Sequence, residues 1–361
     1  MPEGKIRLAV LFGGRSGEHE VSRKSAASIM TYLDRQKYDI VPVYIDKRGS
    51  WTSTPTVPEL ETVDATWCWQ ESAFPTGGDQ TVLGSLLAAM ATLATCDLVF
   101  PVLHGPFGED GTVQALLEQF GIPYVGNGVL ASALSMDKEY TKKIAISAGL
   151  TVNDGVVLRG DDRDLPAARR DRLGLPVFVK PAREGSSIGV SRVDNWPDLP
   201  TAVDSARHSD TKVLVEAAAF GREIDIGVLE RPGGELEVSP ALEIHPSNTH
   251  DFFDYRAKYD DHATVFDLPA DLDPEVARGL AQDAVRMFQE LGCTGLLRVD
   301  FFVTPDGRRI LNEVNTFPGF TSASQYPRMW QAVGLSYRDL LDIVIATARW
   351  RAGQRSPQLA T

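Results

Sequence analysis

Two carboxylates and an amide near the end of the chain, Asp300, Glu313 and Asn315, are spaced for joint chemistry. They sit in RVDFFVTPDGRRILNEVN, residues 298 to 315, which reads as two apolar strands joined by a turn whose strongest signal is Asp306-Gly307. If the loop runs from Pro305 to Arg308, Val303 faces Ile310. Counting outward, Asp300 then faces Glu313 and Arg298 faces Asn315. Side chains alternate along a strand, so these four share one face. Opposed carboxylates repel each other, and a divalent cation between them removes the repulsion. An all-oxygen set of two carboxylates and an amide suits Mg²⁺ or Mn²⁺ better than Zn²⁺, and Mg²⁺ so held completes its shell with water and nucleotide phosphates. The alternative is a surface ion cluster in which Arg298 simply pairs with Asp300 and Glu313.

VKPAREGSSIGV, residues 179 to 190, offers a second kind of chemistry. Gly185 and Gly189 permit close backbone approach, Ser186 and Ser187 add donors, and Lys180 leads in with positive charge. That is a way to cradle phosphate, although a solvated hairpin turn has the same composition. Neither GxxxxGK[ST] nor GxGxxG occurs, so neither a P-loop nor a dinucleotide fingerprint is present. Glu18 and His104 stand beside glycine turns at the ends of expected strands, where ligands of parallel sheets bind. Lys138 and Glu216, taken singly, read as ordinary solvated residues. Cys68, Cys96 and Cys293 have no metal-ligand spacing and read as reduced, buried thiols.

The elements that position these residues fall into three regions. A chain of 361 residues suits two or three domains. IRLAVLFGG, YDIVPVYID, CDLVFPVLHG and IPYVGN read as buried strands, with HEVSRKSAASIMTYLDR and DGTVQALLEQFG as helices, giving a parallel α/β sheet over residues 1–135. Residues 136–222 read as a smaller antiparallel domain around the glycine loop. Residues 223–361 hold a polar stretch, HPSNTHDFFDYRAKYDDHATVF, expected to be a lid, then the helix PEVARGLAQDAVRMFQELG and the carboxylate hairpin. RAGQRSPQLAT reads as a disordered tail. The net charge of -13 argues against nucleic acid, and no stretch approaches the roughly 20 apolar residues of a membrane span. Cytoplasmic location is the expectation.

GGRSGEHEVS, HGPFGEDG, MDKEYTK, VKPAREGSSIGVS, FFDYRAKY, GLLRVDFF and LNEVNTFPGFTSASQYP occur in this order over nearly the whole chain. Together they resemble the D-alanine-D-alanine ligases of the ATP-grasp superfamily. The resemblance implies three α/β domains, with ATP gripped between the central and C-terminal ones and two D-alanines against the N-terminal one. It implies that Lys138 and Lys180 hold phosphates, that Glu216 and Glu223 hold adenine and ribose, and that Phe302 and Asn312 belong to the same ATP site. Asp300, Glu313 and Asn315 match the ligands of two Mg²⁺ ions, with Mn²⁺ as a substitute. Glu18 matches the group holding the first D-alanine's ammonium, with His104 near its carboxylate and Ser324 on the carboxylate of the second. Arg298 and the Gly319 N–H match the oxyanion stabilisers. Tyr259 of the polar stretch is expected to bond Ser186 and Glu18, and Lys258 to reach the transferred phosphate.

The implied reaction forms an acyl phosphate on one D-alanine, which the amine of the second attacks, as a step in making peptidoglycan precursors. A homodimer is also implied. Phe253, where many relatives have tyrosine, and Ala217 to Ala219, where relatives often carry bulkier residues, depart from the family pattern. Retention of Tyr259 favours an amine acceptor, D-alanine, over D-lactate; a D-alanine-D-lactate or D-alanine-D-serine ligase of the same fold is the alternative. An NAD-dependent oxidoreductase is the remote alternative and lacks its fingerprint; a non-catalytic nucleotide-binding module would have no need of the complete metal and arginine set.

Overall fold

The computed structural model describes residues 4–53, 81–245 and 265–355, and three sheets organise them. The first is built from β1 (Ile6–Gly13), β2 (Tyr38–Ile45), β3 (Trp51–Ser53) and β4 (Leu98–Val102), in the order β3-β2-β1-β4. β2, β1 and β4 run parallel and β3 adds an antiparallel edge. Leu8 to Phe12 are all fully buried, which is why β1 reads as an unbroken apolar run: helices cover both faces. Those helices are α1 (His19–Tyr32), α2 (Val82–Leu93) and α3 (Thr112–Gln119). IPYVGN, expected as a strand, contributes only a single parallel bridge between Val99 and Tyr124. Pro123 has no N–H to donate, and Gly126, with φ of 99°, turns the chain away.

Asp137 separates α4 (Val129–Met136) from α5 (Lys138–Ser147), and its side chain caps α5 by accepting from the Glu139 N–H. The second sheet, order β5-β8-β6-β7, is antiparallel throughout: β5 (Gly155–Leu158), β6 (Val177–Pro181), β7 (Ser191–Val193) and β8 (Val213–Ala217). α6 (Ala167–Leu173) and α7 (Leu199–Arg207) accompany it. The third comprises β9 (Arg222–Glu230), β10 (Leu236–Val238), β11 (Leu242–His245), β12 (Val265–Asp267), β13 (Leu296–Val303) and β14 (Arg309–Asn315). Its order is β12-β11-β9-β13-β14, with β10 beside β9. The helix Pro274–Glu290 lays Leu280, Ala284, Met287 and Phe288 on it, and Ala131, Ala145 and Leu150 from the α4–α5 region join the same core.

The chain then returns to its beginning. Phe317, Phe320 and Tyr326, with Leu341 and Val344 of the helix Tyr337–Arg355, share one core with Leu8, Phe12 and Phe100 of the first sheet. Arg351–Arg355, expected to be disordered, are therefore helical. Arg351 pairs through Nε (2.7 Å) and Nη2 with the Glu230 carboxylate, which is 1% exposed, and this anchors the last turns. Residues 356–361 lie outside the described part.

Candidate active site

The hairpin brings its polar face together through an irregularity. Arg298 pairs with Asn315 and Asp300 with Glu313, as the count along the sequence requires. Nearer the turn, however, Val303 pairs with Arg309 rather than Ile310. A bulge between Asp300 and Phe301 absorbs the difference, because the pairing passes from Glu313 to Leu311 and leaves Asn312 as the extra residue of β14. The turn is longer than expected: the Thr304 N–H donates to the Arg308 carbonyl, and Thr304 Oγ1 accepts from the Arg308 N–H at 3.1 Å. The bulge restores the phase that places both carboxylates on one face.

That face is buried. Arg298 donates from Nε and Nη2 to the two oxygens of Asp300, both at 2.7 Å, and from Nη1 to Gln325 Oε1 at 3.2 Å. Its Nε is also 3.4 Å from Asp225 on β9, and Asn315 Nδ2 donates to Asp300 at 3.0 Å. Burial opposes the guanidinium charge, but Asp300 and Asp225 more than reverse this and raise its pKa above the ordinary value. The expected pairing of Arg298 with Asp300 thus exists, in an interior position with Arg298 only 9% exposed rather than on the surface.

Beyond this floor the second and third sheets line one cleft of about 370 Å³, the size of a small-molecule site. Lys180, Phe178 and Glu216 come from the second sheet; Glu223, Asp225, Asp300, Phe302, Asn312 and Glu313 come from the third. Lys138, the first residue of α5, closes one side: its Nζ donates to the Glu184 carbonyl at 2.5 Å and lies 3.7 Å from Glu313. Lys180 Nζ is 2.5 Å from one oxygen of Glu216 and Lys142 Nζ is 2.6 Å from the other. Burial opposes ionisation of Glu216, yet the two ammonium groups hold its carboxyl at about 2.

The first sheet contributes at the cleft mouth. Glu18, at the start of α1, accepts a hydrogen bond from the Ser186 hydroxyl of the glycine loop. A Cβ on Gly105 or Gly185 would lie 2.7 Å from Glu18 Oε2, so the two glycines cradle that carboxylate. Ser186 and Ser187 themselves take φ of 50° and 57°, a strained conformation for non-glycine residues. His104, 4% exposed, lies 3.1 Å from the Phe317 carbonyl through Nδ1 and 3.2 Å from Ser25 Oγ through Nε2. A carbonyl can only accept, so Nδ1 carries the proton, and burial pushes the imidazole pKa down toward the neutral form. Glu109 takes the other end of the same residue, accepting from the Phe317 N–H at 2.9 Å and from the Gly105 N–H at 2.9 Å; burial and nearby Glu18 raise its carboxyl to about 8. The clamped Phe317 leads into Gly319, where a Cβ would stand 3.3 Å from Ser324 Oγ.

The structure therefore gathers Lys138, Lys180, Glu216, Glu223, Arg298, Asp300, Phe302, Asn312 and Glu313 around one cleft, with Asn315 beside Asp300. Glu18, Ser186, His104, Gly319 and Ser324 lie in the adjoining region. Lys258, Tyr259 and Phe253 fall outside the described residues. Sequence reasoning missed Lys142, Asp225, Gln325 and Glu109. A helical count finds Lys142 one turn after Lys138, and strand alternation finds Asp225 two after Glu223.

Two antiparallel sheets lining a cleft with lysines on its sides and a carboxylate floor, adjoined by a parallel α/β sheet, define the ATP-grasp class of ligase. The family model of the D-ala D-ala ligase N-terminus matches residues 7–127, and that of the D-ala D-ala ligase C-terminus matches residues 144–346. A D-alanine--D-alanine ligase from Nocardia farcinica is 50% identical over 357 residues, covering 95% of this chain and 97% of that one. The solved VanG D-Ala:D-Ser ligase from Enterococcus faecalis has a TM-score of 0.79 at 36% identity, covering 95% of this chain and 99% of its own. D-alanine--D-alanine ligase from Bacillus anthracis, solved in complex with ATP, has a TM-score of 0.74 at 28% identity, with coverage of 97% and 99%. The chain belongs to the D-alanine-D-alanine ligase family.

Proposed function

We propose that the protein joins two D-alanines at the expense of ATP, forming D-alanyl-D-alanine, ADP and phosphate for peptidoglycan precursors. The observation that carries this reading is the Asp300–Glu313 pair, in register on the floor of a cleft whose sides carry Lys138 and Lys180. A carboxylate must be phosphorylated before an amine displaces oxygen from it. Transfer of the γ-phosphoryl group to an anion is chiefly a problem of positioning and charge.

The donor set fits Mg²⁺: Asp300 and Glu313 oppose each other, Asn315 adjoins Asp300, and all three offer oxygen. When bound there, Mg²⁺ or Mn²⁺ neutralises charge on the transferring phosphoryl group. Lys138 and Lys180 would contact the phosphates, Glu216 and Glu223 the adenine and ribose, with Phe302 and Asn312 at the same nucleotide. Glu18, tethered by Ser186, would hold the first D-alanine's ammonium, with His104 near its carboxylate. After the second amine attacks the acyl carbon, Arg298 and the Gly319 N–H would stabilise the oxyanion, phosphate would leave, and the amine would lose its proton. Ser324 would hold the acceptor's carboxylate. Tyr259 would join the Ser186–Glu18 link, and Lys258 would reach the transferred phosphate; one loop hydroxyl is missing at Phe253.

Residues 1–135, 136–222 and 223–361 serve as the substrate, central and C-terminal units in this reading. We place the enzyme in the cytoplasm as a homodimer; among the described residues no helix is long and apolar enough to cross a membrane. Purified protein with ATP, Mg²⁺ and D-alanine should release phosphate and form the dipeptide. The solved D-Ala:D-Ser relative makes competition with D-serine and D-lactate the informative control. Equal or greater product with either would overturn D-alanine as acceptor.

A further inference from the structure

α5 carries a second lysine that the nucleotide reading leaves without a task. Lys138 and Lys142 are one helical turn apart and so share a face. Lys138 reaches the Glu313 end of the cleft. Lys142 reaches Glu216 on β8, which is 2% exposed. Lys142 approaches Glu216 from behind: it lines a separate depression beside Asn153 and Gly155, whereas Lys180 lines the cleft. Gly155 pairs with Glu216 across β5 and β8, and a Cβ there would stand 3.1 Å from Glu216 Cγ, so the glycine leaves room for the carboxylate.

We propose that Lys142 is a positioning residue for base selection: it is the fixed counter-ion of Glu216, which keeps that carboxylate ionised and oriented when Lys180 turns to the nucleotide. The inference rests on the reading that Glu216 contacts adenine. Lys180 faces the cleft and cannot serve Glu216 and a phosphate equally well. A buried carboxylate that lost its only partner would take up a proton or be costly to keep charged. With Lys142 behind it, Glu216 retains one ion pair throughout. An ionised carboxylate only accepts hydrogen bonds. It therefore suits the exocyclic amine of adenine and disfavours the carbonyl oxygen that hypoxanthine presents at the same ring position. The Lys142 side chain is 9% exposed, burial lowers its pKa, and Glu216 acts against that shift.

The test uses the full chain and compares ATP with inosine triphosphate in D-alanine-dependent phosphate release. Wild type must first show D-alanine-dependent turnover and a preference for ATP. Failure of the former removes the proposed function, and failure of the latter alone removes the Glu216–adenine contact and this proposal with it. Lys142→Met should then lower the ATP-over-inosine selectivity in kcat/KM about 10- to 100-fold, as expected for a hydrogen bond to a charged group, mainly through the KM for ATP. Lys142→Arg keeps the charge and should retain most of the selectivity. Equal losses with both nucleotides in Lys142→Met would assign Lys142 a merely structural role and overturn the proposal. If Lys142→Met does not fold, loss of selectivity in a folded Lys142→Arg enzyme would overturn it, and retained selectivity would support it.

Discussion

Replacing Asp300 with asparagine separates the observed pairing of its carboxylate with Arg298 from the metal-binding role proposed for it. The substitution keeps shape and volume but removes a charge from a side chain that accepts twice from Arg298 and once from Asn315. The amide oxygen can retain one of the Arg298 bonds, while the amide NH₂ faces the other donor. Arg298 still has Asp225 at 3.4 Å and Gln325 at 3.2 Å, so the guanidinium is not left uncompensated. The loss amounts to roughly one charge-assisted hydrogen bond, about 1.5–3 kcal/mol, which lowers the melting temperature without preventing folding. Activity should fall further. Removing one electrostatic stabiliser of a developing charge typically lowers kcat about 10²- to 10³-fold, or about 2.7–4 kcal/mol, and loss of the proposed metal ligand would add to this. The assay is phosphate release from ATP and D-alanine across a Mg²⁺ series. The variant should need more Mg²⁺ for half-maximal rate and remain slow at saturation. Reduced turnover with unchanged Mg²⁺ dependence would limit Asp300 to holding Arg298, and near-normal turnover would refute its place in the mechanism.

Two other predictions concern the supports of the site. Ser186→Ala removes the hydroxyl that tethers Glu18, so kcat/KM for D-alanine at the first subsite should fall about 10- to 100-fold with the KM for ATP little changed; an unaltered D-alanine dependence would refute the tether. Glu139 on α5 accepts from Lys143, Arg159 and Lys212, which overcome its burial and hold its carboxyl at about 2, below the unfolded value of 4.5. Its stabilisation is therefore present above about pH 4.5 and lost as pH falls toward 2. Glu139→Gln should cost about 1–2 kcal/mol at neutral pH after solvent screening and progressively less in acid, as followed by denaturant unfolding; a deficit independent of pH would refute this account.

The carboxylate floor was legible because strand alternation and a turn dipeptide constrain it tightly. The count from Asp306-Gly307 reaches the correct Asp300–Glu313 pairing even though the register beside the turn is shifted by one residue. Nothing in the composition of ILNEVN marks Asn312 as the bulge, which depends on both strands and the longer turn. Glu18, His104 and Ser186 stood out through their glycine neighbours, but their meeting across the first and second sheets is a tertiary fact. Lys142 reads as an ordinary surface lysine because the carboxylate that buries it lies 74 residues away on another sheet, as the two numbers show. Likewise Arg351 looks like part of a polar tail until Glu230 is seen beneath it. Sequence periodicity reports which face of an element is buried. It does not report which buried charge from elsewhere the face will meet.

The shared core of the first sheet and the last helices bears on how the chain comes into being. Leu8, Phe12 and Phe100 leave the ribosome long before Phe317, Phe320 and Leu341, which complete their packing. The N-terminal sheet therefore spends most of synthesis with part of its apolar surface uncovered, the condition that invites misassociation of nascent chains. Translation must reach the final helix before the first strand is fully enclosed. A fragment ending at Gly126 would carry the whole first sheet yet expose the surface that Phe100 presents to Phe317 and Phe320 at ring-centre distances of 6.0 and 6.3 Å. The chain is thus three sheets by topology but closer to a single unit by the order in which it can be finished.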